Sequence, residues 1–315
     1  MHSRSDDTAD IEGEPVRETY AHGTDAARLP TWLRRPIAVP GHARAVDGLL
    51  GDLHVNTVCQ SAKCPNRGEC FSAGSATFLV MGDACTRGCR FCAVETHLPA
   101  PLDADEPRRV ADAAARLGLR HVVITSVTRD DLADGGAAHL VAVIEAVRDA
   151  LPDAAIEVLT SDFAGRLESV DAVADAAPDV FNHNLETVPR LYAEVRPGAK
   201  YARSLGVLAR VHETHPEIPT KSGLMLGLGE RPDEVREVMA DLVAHGVTML
   251  TLGQYLRPST RHLPVSEFVE PGVFADLARD AYKLGFSAVA SAPYVRSSYR
   301  AEELIAEQPS SPTRA

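Results

Sequence analysis

The chain has 315 residues, with 32 Lys and Arg against 44 Asp and Glu, a formal charge of −12, and 45% hydrophobic against 24% charged residues. This is the composition of an ordinary folded protein, neither disordered nor fibrous, and a chain of this size buries about three-quarters of its unfolded surface without covalent staples. The acidic balance disfavours a phosphate backbone as main partner, and no apolar run nears the roughly 18–20 residues of a membrane span, so neither nucleic acid nor membrane is expected to bind.

Residues 1–27 mix acids, bases and hydroxyls with no apolar segment of the signal-peptide kind; they are expected to be a disordered or loosely ordered lead. Residues 28–75 follow as an N-terminal extension. All six cysteines lie between positions 59 and 92, and none occurs elsewhere. They form two triplets of different spacing, Cys59-x4-Cys64-x5-Cys70 and Cys85-x3-Cys89-x2-Cys92. A disulfide framework belongs to small secreted domains rather than to a long chain without an export signal. Structural zinc normally takes four ligands from paired arms, so two triplets suit it poorly. A four-iron cluster held by three thiolates keeps one iron corner open for another ligand, and two such clusters make the most economical reading.

Short apolar or β-branched runs recur at residues 78–82, 121–127, 156–160, 180–185, 222–227 and 249–255. Helical patterns separate them at about 104–117, 138–150, 163–176, 201–215 and 232–244, with a last one at 272–284. Such alternation predicts a parallel sheet. Six units make an α/β fold, a partial (β/α)6 barrel over residues 76–286, with Cys85, Cys89 and Cys92 directly after the first strand, where barrels carry their chemistry. Residues 287–292 are open between a further strand and a lining segment, within a C-terminal segment 287–315 that ends in a flexible tail.

Cys85-Thr-Arg-Gly-Cys89-Arg-Phe-Cys92 resembles the cluster loop of the radical S-adenosylmethionine (SAM) superfamily. The resemblance extends to the lipoyl synthase family through Val58-Cys59-Gln-Ser-Ala-Lys-Cys64-Pro-Asn-Arg-Gly-Glu-Cys70-Phe71, Thr125-Ser-Val-Thr-Arg-Asp-Asp131, Phe181-Asn-His-Asn-Leu-Glu-Thr187 and Arg196-Pro-Gly198. Thr220-Lys-Ser-Gly-Leu-Met-Leu-Gly-Leu-Gly-Glu230, Gly253-Gln-Tyr-Leu-Arg-Pro-Ser259 and Val295-Arg-Ser-Ser-Tyr299 continue it in that family's order, over roughly residues 30–304.

The resemblance implies two 4Fe–4S clusters, one on Cys85, Cys89 and Cys92 that chelates SAM, and an auxiliary one on Cys59, Cys64 and Cys70. It also implies a serine oxygen on the auxiliary cluster, assigned to Ser298 with Ser297 as runner-up. The implied reaction inserts two sulfur atoms, supplied by the auxiliary cluster, at C6 and C8 of an octanoyl chain carried on a lysine, consuming two SAM per lipoyl group through 5′-deoxyadenosyl radicals. The implied partners are octanoylated lipoyl carrier domains of the 2-oxoacid dehydrogenase E2 and glycine cleavage H types, a low-potential electron donor and a carrier that rebuilds the spent cluster. A cytoplasmic enzyme of lipoate biosynthesis and protein lipoylation follows. The alternatives are a radical sulfur-insertion enzyme of the biotin synthase kind and a non-catalytic iron–sulfur protein.

Asn184 and Glu186, after the fourth strand, are candidates for the ribose or amino group of SAM, and Arg196 for its carboxylate; each is open to a plain loop or salt-bridge role. His183 alternates with Asn182 and Asn184, so at least one of the three is expected to face the packed side, and His183 is not taken as a ligand. The glycines at 223, 227 and 229 lack a Walker-type ending; close approach of the strand to SAM is preferred to a phosphate cradle. Trp32, the only Trp, is expected in the core, the other reading being contact with the barrel mouth or the carrier protein.

Overall fold

The computed structural model describes residues 29–34, 40–72, 75–299 and 301–306; the proposed lead at 1–27 and the tail beyond 306 lie outside them. In chain order the strands are β1 Thr77–Val80, β2 Ala84–Cys85, β3 Glu95–Thr96, β4 His121–Ser126, β5 Ala155–Leu159, β6 Val180–Asn182, β7 Thr220–Leu226, β8 Met249–Gln254 and β9 Ala288–Ser291. The helices are α1 Pro40–Asp52, α2 Val58–Ser61, α3 Arg67–Ser72, α4 Glu106–Arg116, α5 Ala137–Ala150, α6 Leu167–Asp175, α7 Tyr192–Val195, α8 Tyr201–Thr214, α9 Pro232–Ala244, α10 Pro271–Leu284 and α11 Ala301–Ala306.

Seven strands form one sheet in the order β1-β4-β5-β6-β7-β8-β9, every neighbouring pair parallel. Residues 287–292 therefore supply a strand, and the sheet runs past position 286. The sheet is open between β1 and β9, as in a partial barrel.

The pleat sorts the strand residues. Phe78, Ile124, Ile156, Val158 and Phe181 are fully buried and share one apolar cluster with Val143, Ile144, Val173 and Val207 of α5, α6 and α8. Their alternates, which include Glu157, Asn182 and Lys221, face the lumen and meet one another across it. Both faces are buried, so the strands read as almost unbroken apolar runs, the habit of parallel sheets under helices.

Two elements differ from the sequence expectation for local reasons. The helix expected at 163–176 is a single 3-10 turn, Phe163–Gly165, followed by α6. Phe163 (φ 45°), Ala164 (φ 55°) and Gly165 (φ 88°) are all left-handed, which an α-helix does not admit. The strand expected over 180–185 stops at Asn182, because the carbonyls of Asn184 and Leu185 turn to accept Arg196 Nη1 at 2.8 and 3.1 Å.

The N-terminal extension lies along the free edge of β1. Thr57 bridges Phe78 antiparallel and Leu79 donates its backbone N–H to Asn56 O at 2.9 Å. Asp47 ties α1 to the thiol segment, accepting Gln60 Nε2 at 2.8 Å and Arg67 Nη2 at 2.5 Å. At the other terminus Leu304 of α11 packs on Val180, Met249 and Ala288, the first residues of β6, β8 and β9. That helix plugs the barrel at the strands' N-terminal ends. The two extensions thus meet at the lateral opening and the floor; Tyr294 OH donates to Leu33 O at 2.6 Å and Asn66 Nδ2 to Tyr294 O at 2.7 Å. Trp32 is 37% exposed, contrary to the expectation of core packing. Its neighbour Leu33 takes the buried place, because a short 3-10 turn presents only one side inward.

Candidate active site

β1 delivers the second cysteine triplet to the barrel mouth through a turn at Met81 (φ 68°) and Gly82 (φ 95°). The loop is stitched to its surroundings along its length. Cys85 Sγ accepts the backbone N–H groups of Arg87 at 3.4 Å and Thr128 at 3.3 Å. Arg90 N donates to Val195 O at 3.0 Å and His262 Nε2 to Cys92 O at 2.9 Å. Arg87, inside the Cys85–Cys89 interval, makes a two-pronged pair with Asp130 at 2.6 and 2.7 Å and reaches Asp162 at 2.7 Å. Asp162 is wholly buried and also accepts Arg203 Nε at 2.7 Å. Sequence reasoning missed this clamp, because an Arg between two cysteines carries no signal of its target.

The three SAM candidates converge on this loop. Asn184 faces the lumen, and its Nδ2 donates to Glu186 Oε1 at 3.1 Å. Glu186 sits at φ 69°, its carboxyl pushed up by burial against the pull of Arg196. Arg196 is 8% exposed; Nη1 serves two carbonyls and Tyr192 OH, at 2.8 Å, while its buried Nε has no partner. An orphaned, buried guanidinium donor is suited to an anionic ligand group. Burial pushes the Cys89 thiol up, with Arg196 as the largest opposing influence and Glu186 adding to the rise; burial takes Cys92 up to about 12. As free groups these thiols are protonated at neutral pH, and iron would displace their protons on binding.

His183 points the other way, as the alternation requires. Its Nδ1 faces Thr160 O at 2.9 Å and its Nε2 faces Ser204 Oγ at 3.0 Å; a carbonyl only accepts, so Nδ1 carries the proton and Nε2 accepts the hydroxyl. Gly223 has close neighbours: a Cβ there would lie 2.6 Å from Thr251 Oγ1, 2.8 Å from Ser297 Oγ and 2.9 Å from Asn184 Oδ1. The phosphate-cradle reading fails at Gly227 and Leu228, whose N–H groups both donate to the carboxylate of Glu230.

The first triplet occupies a separate place. Cys59, Cys64 and Cys70 line a small cavity together with Asn66, Thr77, Arg296, Ser298 and Tyr299. Cys64 N donates to Cys59 O at 3.1 Å, and burial with the neighbouring Cys64 raises the Cys59 thiol to about 11. The C-terminal strand of chain that brings Ser298 here first re-enters the lumen. Gln254 N donates to Pro293 O at 3.1 Å, the Val295 carbonyl lies where a Cβ on Gly253 would be, at 2.0 Å, and Ser297 Oγ donates to Asn184 Oδ1 at 2.7 Å. Ser297 thus faces the SAM candidates, and Ser298 faces the first triplet.

None of the six cysteines forms a disulfide. Among the described residues no three His, Cys, Asp or Glu side chains converge as a single metal ion requires, whereas a cubane is gripped at separate corners and takes ligands that line a space. The donor sets fit such a group at both places.

Beneath Ser297 lies a layer that the sequence did not disclose. Lys221 Nζ donates to both oxygens of Glu157 at 2.9 and 3.0 Å, each side chain fully buried. Asn182 Nδ2 donates to Glu157 Oε1 at 2.8 Å, and His121 Nε2 stands 3.6 Å from Glu157 Oε2. A larger cavity of about 450 Å³ opens below, lined among others by His121, Val123, Cys70 and Ser298.

Comparison with known proteins agrees with this geometry. The Radical SAM superfamily model matches residues 79–242. The lipoyl synthase of Syntrophotalea carbinolica is 55% identical over 278 residues, 88% of this chain and 90% of that protein. That of Caldanaerobacter subterraneus subsp. tengcongensis is 56% identical over 275 residues, 87% of this chain and 96% of its own. In fold the chain is similar to the FeFe-hydrogenase maturase HydG from Carboxydothermus hydrogenoformans, with a TM-score of 0.56 at 15% identity, covering 74% of this chain and 56% of that one. Methylornithine synthase gives a TM-score of 0.51 at 13% identity, covering 78% and 74%. The superfamily implies a 4Fe–4S cluster and SAM, and among the described residues no helix is long and apolar enough to cross a membrane. With the cluster loop at the mouth of a parallel barrel and more than half of its residues shared with these relatives, the chain belongs to the lipoyl synthase family of the radical SAM superfamily.

Proposed function

We propose that the chain inserts two sulfur atoms, at C6 and C8, into an octanoyl chain linked to a lysine of a lipoyl carrier domain, two SAM being consumed for each lipoyl group. The observation that carries this reading is the separation of two thiol triplets, one beside Glu186 and Arg196 and the other sharing its cavity with Ser298. A 4Fe–4S cluster bound with SAM supplies an electron that cleaves the sulfonium and yields a hydrogen-abstracting 5′-deoxyadenosyl radical.

Cys85, Cys89 and Cys92 would hold that cluster, with Arg87 pinning their loop to Asp130 and Asp162. Arg196 offers its unpartnered Nε to the SAM carboxylate, and Glu186 and Asn184 offer acceptors to its amino group and ribose. Cys59, Cys64, Cys70 and Ser298 would hold the second cluster, the sulfur-donating substrate of the reaction. A hard serine oxygen on a thiolate-held iron is the exchangeable corner, suited to a cluster that must come apart. The carrier domains are of the E2 and H-protein types; a low-potential donor supplies electrons, a separate carrier restores the spent cluster, and cysteines that form no disulfide fit a reducing compartment, the cytoplasm.

The test is anaerobic incubation of the reconstituted enzyme with SAM, reductant and an octanoyl-lysine peptide, followed by mass spectrometry and an iron count. About eight irons per chain, a peptide carrying two additional sulfurs and free 5′-deoxyadenosine are expected. Four irons, or SAM cleavage without sulfur gain in the intact enzyme, refutes the reading.

A further inference from the structure

The cavity beneath the Lys221–Glu157 layer has no part in SAM binding. Its rim is formed by Gly118, Arg120, Glu302 and Glu303, all exposed, and its inner wall reaches Cys70 and Ser298. The small cavity of the first triplet shares Cys70, Ser75, Ser298 and Tyr299 with it, so the two adjoin at these residues. The larger cavity therefore reaches from the protein surface, at the strands' N-terminal ends, to Cys70 of the first triplet.

On the side of the mouth, the stretch from Pro293 to Ser297 lies in the lumen, with the Val295 carbonyl against Gly253 and Ser297 Oγ over Gly223 and bonded to Asn184. Lys221, two residues before Gly223 on β7, is fully buried in its pair with Glu157.

His121 is the second observation. Its side chain is 6% exposed, it lines the larger cavity, and neither ring nitrogen has a hydrogen-bond partner. A buried imidazole that makes no hydrogen bond, and whose ion-pair contact to Glu157 is as long as 3.6 Å, keeps a nitrogen lone pair to offer a passing ligand, and imidazole nitrogen suits ferrous iron.

We propose that this cavity is the service passage of the Cys59, Cys64 and Cys70 site, through which ferrous iron leaves as the cluster comes apart, on the opposite side from SAM. The inference rests on reading that triplet as the sulfur-donating cluster, since a cluster that surrenders sulfur must also release its iron.

The experiment follows iron release from the anaerobic holoenzyme to bathophenanthroline disulfonate. The phase belonging to the first triplet is identified by its absence from Cys59→Ala. Leu117→Trp and Val123→Phe, which fill the passage, are expected to slow that phase at least about tenfold, since a close-packed wall admits no ion, and to leave the other phase unchanged. Glu302→Ala, which opens the rim, is expected to speed it. An unchanged rate in the filled variants, or equal slowing of both phases, overturns the proposal. If the filled variants fail to load iron, an unchanged rate in Glu302→Ala overturns it instead. A parent enzyme that holds four irons and shows a single phase defeats the functional reading, whereas eight irons with indifferent rates defeats the passage alone.

Discussion

Ser297 Oγ donates to Asn184 Oδ1 at 2.7 Å, and this bond decides which of two adjacent serines is free to face the thiol cavity lined by Ser298. Ser298→Ala is expected to abolish sulfur insertion and to loosen iron at the first triplet while SAM cleavage persists. Ser297→Ala loses one neutral hydrogen bond, about 1 kcal/mol, and retains its iron. Iron counts with product mass for the two variants separate the roles; equal behaviour of both contradicts them.

Replacing Cys59, Cys64 or Cys70 by Ala is expected to leave 5′-deoxyadenosine formation intact and to remove lipoyl product. Cys89→Ala ends both. Chromatography of deoxyadenosine beside peptide mass spectra reads the two steps independently, and lipoyl product from Cys64→Ala without added sulfide contradicts the assignment.

Gly253→Ala sets a methyl group where the Val295 carbonyl lies, 2.0 Å away, a clash with backbone that no rotamer change relieves. The re-entrant stretch must shift and carry Ser298 from its place. Product formation is expected to fall by about two orders of magnitude or more, as a misplacement of about 1 Å does in other sites, with circular dichroism little changed. Wild-type rates in this variant contradict the packing.

Six of the seven strands were legible because parallel strands under helices are apolar on both faces, whereas β9 was left open between a strand and a lining segment; alternation required at least one of Asn182, His183 and Asn184 to face the packed side without saying which. The place of Cys85, Cys89 and Cys92 directly after the first strand was legible because their close spacing stands out beside an apolar run. Glu157 and Lys221 were not: a charged residue in a strand reads as solvent-facing until the sheet curls and brings its partner across the lumen. The short helices α2 and α3 carry no periodicity long enough to read, and tertiary ties such as Asp47 with Arg67 hold the segment together. Trp32 misled because an aromatic's weight in cores says nothing about which side of one turn faces inward.

His183 governs a pH dependence. Burial, with Arg196 nearby, lowers its ring to about 4, whereas in the unfolded chain it takes its proton near about 6.5. Stability is then full above about pH 6.5 and declines as pH falls toward the folded value, by about 3 kcal/mol in all. Melting temperatures of the wild type and His183→Gln, from pH 7.5 to about 5, check this: the wild type should show the steeper decline, and parallel curves contradict the assignment.

Lys221→Met strands the Glu157 carboxylate in the barrel interior. Breaking one side of a buried pair costs about 3–5 kcal/mol, and the melting midpoint should fall accordingly, while Lys221→Met with Glu157→Leu recovers most of the loss. A single variant as stable as the parent contradicts the pairing.

The segment that covers the outer edge of β1, Asn56 and Thr57, leads directly into Cys59. An uncovered parallel edge is a template for another chain's backbone. The same stretch of polypeptide that would clasp the second cluster therefore also guards against self-association, and loss of iron from the proposed Cys59 site is expected to slacken that guard and lower the solubility of the protein.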